Sequence, residues 1–297
     1  MMLIPRFYNN LHEQILKVCD SMALPLHFNK TGYKHFDNYQ RVAVIILYFH
    51  SKKSLKEFLN DFKDSKWQHY LQLPRIPAKT TLHDWLVLFD SKIIIELNKQ
   101  ITSRINPVLT AIDGTGIDAF HRSKHYEMRL KQFGINKPKT PHIHLDLWID
   151  TETQMILDFE IGHDFKHDII GATEIFKRNE LQGIEVLADG GYDSEPLHKL
   201  IRSKGGKLFA PVRKNSRKKN PKGFYRKKCL NPPSYKGKRS LVETINSVLK
   251  RVQITSLRSK LEEMKNRELA WHIVLYNLKR IISFWLNIFN KKILSCY

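Results

Sequence analysis

The sequence predicts an α/β domain with a mixed sheet, preceded by an all-helical domain, and three observations carry that expectation. Hydrophobic periodicity is helical up to about residue 104 and changes to strict alternation after Pro107. Beyond residue 168, helical stretches and short apolar runs take turns before the chain ends in further helices. The resulting order is β, then β-β, then α-β-α-β, which sets an antiparallel hairpin beside parallel strands.

In the first domain, residues 1–104, Ser54-Leu-Lys-Glu57 is a capping box opening an apolar set Leu55, Phe58, Leu59 and Phe62. A short helix follows over residues 67–71, and Pro74 and Pro77 then break the chain. Thr81-Leu-His-Asp84 is a second capping box, expected to open a long helix. Three short helices with tight breaks fit a helix-turn-helix, with Thr80, Thr81 and His83 at a DNA-facing N-terminus. A plain helical bundle fits the same pattern.

The second domain, residues 105–297, opens with a strand over 108–113 that ends at Asp113-Gly114. Residues 142–149 alternate, with Ile143, Leu145, Leu147 and Ile149 on one face, and Asp150-Thr-Glu-Thr153 turns them into a second strand. A helix capped by Asp168 is expected from Ile169 to about Arg178. Then come a strand over 185–189, a helix from Glu195 to Ser203 and a strand over 207–211.

The chain has 297 residues, 42% hydrophobic and 27% charged, as soluble globular proteins have. Its charge is less ordinary: 50 Lys+Arg against 29 Asp+Glu leave a net +21, which points to a polyanionic partner. Cys19, Cys229 and Cys296 fit neither a disulfide framework nor a zinc pattern, so a reducing compartment is expected. The N-terminus lacks a signal-peptide pattern. The apolar stretch over 269–288 is interrupted by His272, Asn277, Lys279 and Arg280, short of the ~20 apolar residues of a membrane span. A cytoplasmic protein is expected, with nucleic acid rather than a membrane as its partner.

Between Pro196 and Val242 there is no acidic residue, whereas Arg213, Lys214, Arg217, Lys218, Lys219, Lys227 and Lys228 all fall in that stretch. Mixed signs suffice for solubility, so one-sided charge reads as a track for a phosphate backbone.

Asp113 and Asp189 each close an expected strand and are followed by glycine, which lets another group approach closely. Carboxylates at strand ends face the crevice where open α/β sheets place their chemistry. Two together make an oxygen-rich site suited to Mg²⁺, although each alone also reads as a turn residue. Glu243 lies in a helix whose apolar stripe is Leu241, Val242, Ile245, Val248, Leu249 and Val252, with Arg239, Glu243, Asn246 and Lys250 opposite. Ser240-Leu-Val-Glu243 also reads as a capping box, and Arg239 and Lys250 as solvated cations.

The three acidic segments, Ala111-Ile-Asp-Gly-Thr-Gly116, Leu187-Ala-Asp-Gly-Gly-Tyr-Asp-Ser194 and Arg239-Ser-Leu-Val-Glu243, resemble those of the DDE transposases of prokaryotic insertion sequences. The signature around the family's glutamate is Tyr-x2-Arg-x3-Glu-x6-Lys. Arg239, Glu243 and Lys250 match its spacing, while Tyr235 lies one residue too far upstream and Lys236 takes its place. Ser123, Tyr126 and Arg129 are similar to a further segment that follows the first aspartate in relatives.

The resemblance implies an RNase H-like mixed sheet flanked by helices. It also implies a site in which Asp113, Asp189 and Glu243 hold two Mg²⁺ ions, with Mn²⁺ able to substitute. DNA strand cleavage and strand transfer would follow by in-line displacement. Arg239, Lys250, Tyr126 and Arg129 would contact double-stranded DNA, namely terminal inverted repeats and target, in a homodimeric complex. The competing expectations are a nuclease of the same fold without strand transfer, and a non-catalytic DNA-binding regulator.

Overall fold

The computed structural model describes residues 3–28, 31, 34–118, 132, 142–163, 168–212, 223–229, 235, 237–254 and 257–294. The chain forms two compact units, Met1–Ser103 with Ser259–Tyr297, and Arg104–Arg258. The sequence reading carried the second domain to residue 297; the last helix, Glu262–Leu294, instead packs with the N-terminal helices. Trp271 shows why: it is fully buried, with ring centroids 6.5 Å from Phe49 and 5.7 Å from Phe89. Deeper in the same unit, buried Asn277 donates to Asn98 at 2.7 Å. No helix of the described residues is long and apolar enough to cross a membrane.

The helical unit contains α1 (Leu3–Ser21), α2 (Asn38–Ser51), α3 (Leu55–Lys63), α4 (Trp67–Tyr70), α5 (Lys79–Leu88) and α6 (Ser91–Thr102). The capping box at Ser54 forms: Glu57 N–H donates to Ser54 Oγ at 3.3 Å, and Ser54 N–H to Glu57 Oε2 at 3.0 Å. The one expected at Thr81 does not. Pro77 leads into Ala78, which is extended at φ −69° and ψ 159°, so α5 starts directly after it with no side-chain cap. Phe89 then leaves the helical region at ψ 100°, and Asp90 caps a separate helix by accepting from Ile93 N–H at 2.9 Å. One long expected helix is therefore two.

The second unit is a mixed five-stranded sheet flanked by helices. Its elements are β1 (Leu109–Asp118), β2 (His142–Asp150), β3 (Ile156–His163), α7 (Asp168–Lys177), β4 (Glu185–Leu187), α8 (Glu195–Ser203), β5 (Lys207–Phe209), α9 (Phe224–Lys228) and α10 (Ser240–Val248). The sheet order is β3-β2-β1-β4-β5. β1, β2 and β3 pair antiparallel, whereas β1, β4 and β5 run parallel. β1 does not stop at Asp113 as expected. Its pairing with β2 continues to Asp118↔His142, since Thr115 and Ile117 suit a strand and the glycines between them do not prevent one.

Cross-strand partners share a face of the sheet. Ile112, Gly114 and Gly116 of β1 thus stand with Trp148, Asp146 and His144 of β2. That face is covered by α7 and α8, through Ala172, Ile175, Phe176, Leu197 and Ile201. Asp113 and Leu147 point to the other face, on which α10 packs.

Arg178 fixes the end of α7 to β3. Its guanidinium donates to both oxygens of Asp158, at 2.7 and 3.0 Å, and to Glu160 at 2.6 Å. Asp158 is fully buried, and removing one partner of such a pair strands a charge. Arg178→Ala is expected to lower stability by about 3–5 kcal/mol in urea unfolding of the full chain.

Candidate active site

The parallel pairing of β1 with β4 ends at Ala111↔Leu187, and Asp113 and Asp189 each lie two residues beyond that last pair. Equal offsets from one register bring the two carboxylates to the same end of the sheet. β4 stops short of the expected Asp189, which caps a 3₁₀ turn, Gly190–Tyr192, by accepting from Gly191 N–H at 2.6 Å. A Cβ on Gly191 would stand 2.6 Å from Asp189 Oδ1 and 3.1 Å from Asp168 Oδ2, so only glycine leaves both carboxylates where they are.

Glu243 comes from α10. The capping box read at Ser240 is absent, since Ser240 Oγ donates to Gly237 C=O at 2.9 Å. Glu243 is instead exposed and paired with Arg239 at 3.0 Å across one helical turn. The buried face of this helix is Val242, Ile245, Asn246 and Leu249, while Val248 and Val252 of the expected stripe are exposed. Part of the reason is a π turn over Leu249–Gln253, where Ile254 N–H donates to Leu249 C=O at 2.6 Å and shifts the helical phase. Asn246, placed by periodicity on the polar face, is buried and donates to Asp113 Oδ2 at 3.4 Å.

Electrostatics ties the three carboxylates together. The Asp113 carboxyl is pushed up to about 6, by burial first and then by the charges of Asp189 and Glu243, against the opposing effects of Arg239 and the Gly114 N–H. Asn246 Oδ1 beside it is buried without a hydrogen-bond partner. A carboxyl raised by two neighbouring carboxylates, next to an unsatisfied amide oxygen, is a hard-oxygen setting suited to a divalent cation.

A second group lies on the other face of β1. His144 Nε2 is 3.1 Å from Asp146 Oδ2 and 3.5 Å from Asp168 Oδ1, and the three residues have ligand atoms within 4.8 Å of one another. The approach of Asp146 raises the imidazole above its ordinary range, against the effect of burial. Sequence reasoning had Asp168 only as a helix start, and passed over His144 and Asp146. The available signal was two polar residues alternating within His142-Ile-His-Leu-Asp-Leu, a strand that the predicted helices should have covered on both faces.

Of the expected DNA contacts, Lys250 is exposed in the π turn, and Lys227 and Lys228 lie on α9. Two carboxylates after the 3₁₀ turn hold α9: Arg226 donates to Asp193 at 2.7 and 2.5 Å, and the Tyr225 and Arg226 N–H groups donate to Glu195 at 3.3 and 3.1 Å. Lys228 Nζ sits 4.3 Å from the ring centre of Phe224, itself 63% exposed. Arg213, Lys214, Arg217, Lys218, Lys219, Tyr126 and Arg129 lie outside the described residues. In the helical unit, Thr80 and His83 are exposed near the start of α5, and Thr81 is half-buried. Tyr235 donates to Glu185 at the start of β4, and its ring packs 5.9 Å from Phe209, the strand partner of Leu187.

A model of the transposase DDE domain matches residues 105–278, more than half of the chain. The chain belongs to the transposase DDE domain family. No curated protein matches it. Among solved structures it is similar to a piggyBac transposase in a synaptic complex with hairpin DNA, at 14% identity, with 92% of this chain and 72% of that chain covered and a TM-score of 0.47. The transposase is thus an enzyme of a divalent-metal-dependent family, and among the described residues His144, Asp146 and Asp168 form a cluster that could hold a metal ion.

Because its folded value lies above its ordinary one, Asp113 favours the folded state most below about pH 4, and that contribution is lost as pH rises through about 6. In metal-free buffer at pH 8, Asp113→Asn is expected to raise the thermal midpoint, and the gain to vanish as pH falls from 6 to 4. Calorimetry across that range checks it.

Proposed function

We propose that the transposase binds the terminal inverted repeats of a prokaryotic insertion sequence and catalyses Mg²⁺-dependent strand cleavage and strand transfer, with Asp113, Asp189 and Glu243 as the metal ligands. One observation carries this reading: the Asp113 carboxyl is raised by both Asp189 and Glu243, residues far apart in sequence that share one field. Bound Mg²⁺, for which Mn²⁺ can substitute, supplies activation of the attacking oxygen and stabilisation of the leaving one. In cleavage, water attacks the phosphorus, the P–O3′ bond breaks, and the 3′ oxygen leaves as a hydroxyl. In transfer that hydroxyl attacks a target phosphorus in line, and the target's own P–O3′ bond breaks.

The protein's part is to hold its carboxylates as oxygen donors at the open end of the sheet and to position the phosphate. Arg239, next to Glu243, and Lys250, about two turns further along, are the cations best placed for phosphate contact. Lys227 and Lys228 on α9 offer further cations, and Arg213, Lys214, Arg217, Lys218, Lys219, Tyr126 and Arg129 are DNA-contact candidates from the sequence alone. Thr80, Thr81 and His83 offer a second contact from the helical unit, with the protein acting as a homodimer in the cytoplasm, on nucleoid DNA.

Asp189→Ala and Asp113→Ala should each abolish cleavage of an inverted-repeat duplex in Mg²⁺ while a mobility-shift assay still shows binding. Cleavage that survives both substitutions overturns the assignment. Joining of a pre-cut end to target DNA separates a transposase from a nuclease of the same fold. Log affinity for DNA should fall steeply and linearly with log salt, with a slope near −0.9 per phosphate contacted. A salt-insensitive complex would exclude the phosphate-tracking role.

A further inference from the structure

Asp146 is 1% exposed, so its carboxylate cannot reach a DNA phosphate, yet it lies beneath both aspartate-bearing segments. Its strand partner is Gly114, the residue after Asp113. A Cβ on Gly114 would stand 3.0 Å from Asp146 Oδ1 and 2.8 Å from the His144 ring, and one on Gly171 would stand 1.9 Å from Asp146 Oδ2. Two elements thus leave out a side chain where this carboxylate sits. Asp146 Oδ1 accepts from the Tyr192 hydroxyl at 3.1 Å. Tyr192 is fully buried and closes the turn that begins at Asp189, donating its N–H to the Asp189 C=O at 3.2 Å. Packing alone would be served by phenylalanine, and a buried carboxylate is costly unless it is paired.

We propose that Asp146 and Tyr192 are positioning residues that set the Asp189 turn against β1 and so fix the spacing of Asp189 from Asp113. This rests on the reading of those aspartates as metal ligands. The Tyr192 hydroxyl anchors the far end of a turn whose near end is Asp189. Asp146 refers that anchor to the strand that carries Asp113. His144, 3.1 Å from Asp146, links the same carboxylate to Asp168 at the start of α7. Removing the hydroxyl leaves the fold's apolar packing in place and frees the turn.

The test is Mn²⁺ binding to the full chain, followed by electron paramagnetic resonance. Tyr192→Phe should weaken Mn²⁺ binding about 10-fold, as loss of a group supporting a metal ligand does, with cleavage recovering at saturating metal. Tyr192→Phe introduced on an Asp146→Asn background should weaken binding no further than Asp146→Asn alone. Unchanged Mn²⁺ affinity in Tyr192→Phe, whatever its thermal stability, overturns the proposal and leaves the hydroxyl a packing feature. Asp189→Ala in the same titration should remove the component of Mn²⁺ binding that Tyr192→Phe weakens. If instead it binds as the unaltered chain does, the ligand assignment itself fails, and the positioning role falls with it.

Discussion

Like charges held in a half-buried crevice are the constraint on which this catalytic unit is organised. Asp113 would move away from Asp189 and Glu243 if the chain were free, because their charges raise the free energy of its ionised form. What keeps them together is the sheet register, the capped turn after β4 and the packing of α10 on β1. None of these can relax without unpairing backbone or exposing apolar surface. Arg239 offsets part of the repulsion, as does the Gly114 N–H. A divalent cation would offset the remainder, so the same crowding that strains the metal-free fold supplies affinity for metal.

The crevice itself comes from a mismatch of strand lengths. β1 has ten residues and β4 has three, so β1 runs on alongside β2 after β4 has turned away. Asp113 thereby keeps a strand partner in β2, Leu147, and has none in β4.

Much of this was legible in the sequence. Alternation in 142–149, with a turn at Asp150, encodes a hairpin through local side-chain burial alone, and Ser54 with Glu57 encodes a helix start through two local hydrogen bonds. The spacing of Arg239, Glu243 and Lys250 was visible because a motif fixes chain positions directly. What escaped depends on contacts distant in sequence. Asp113-Gly114 reads as a strand end, and only pairing with β2 carries the strand onward. Asn246 reads as a surface residue until the π turn and the Asp113 carboxylate are both in place. The partner of the last helix is set by Trp271 meeting Phe49 and Phe89, which periodicity cannot specify. His144 and Asp146 escaped because alternation records that one face of a strand is polar, not what that face encloses.

Both carboxylates that hold α9 come from the short run just after the 3₁₀ turn: Asp193 grips the Arg226 side chain and Glu195 grips the backbone. Lys227 and Lys228 therefore ride on a tether whose other end is four residues from Asp189. A displacement of that basic helix would therefore bear on the chain within a single turn of Asp189. If these lysines hold a polyanion and Asp189 a metal, grip and alignment would be two ends of the same short strut.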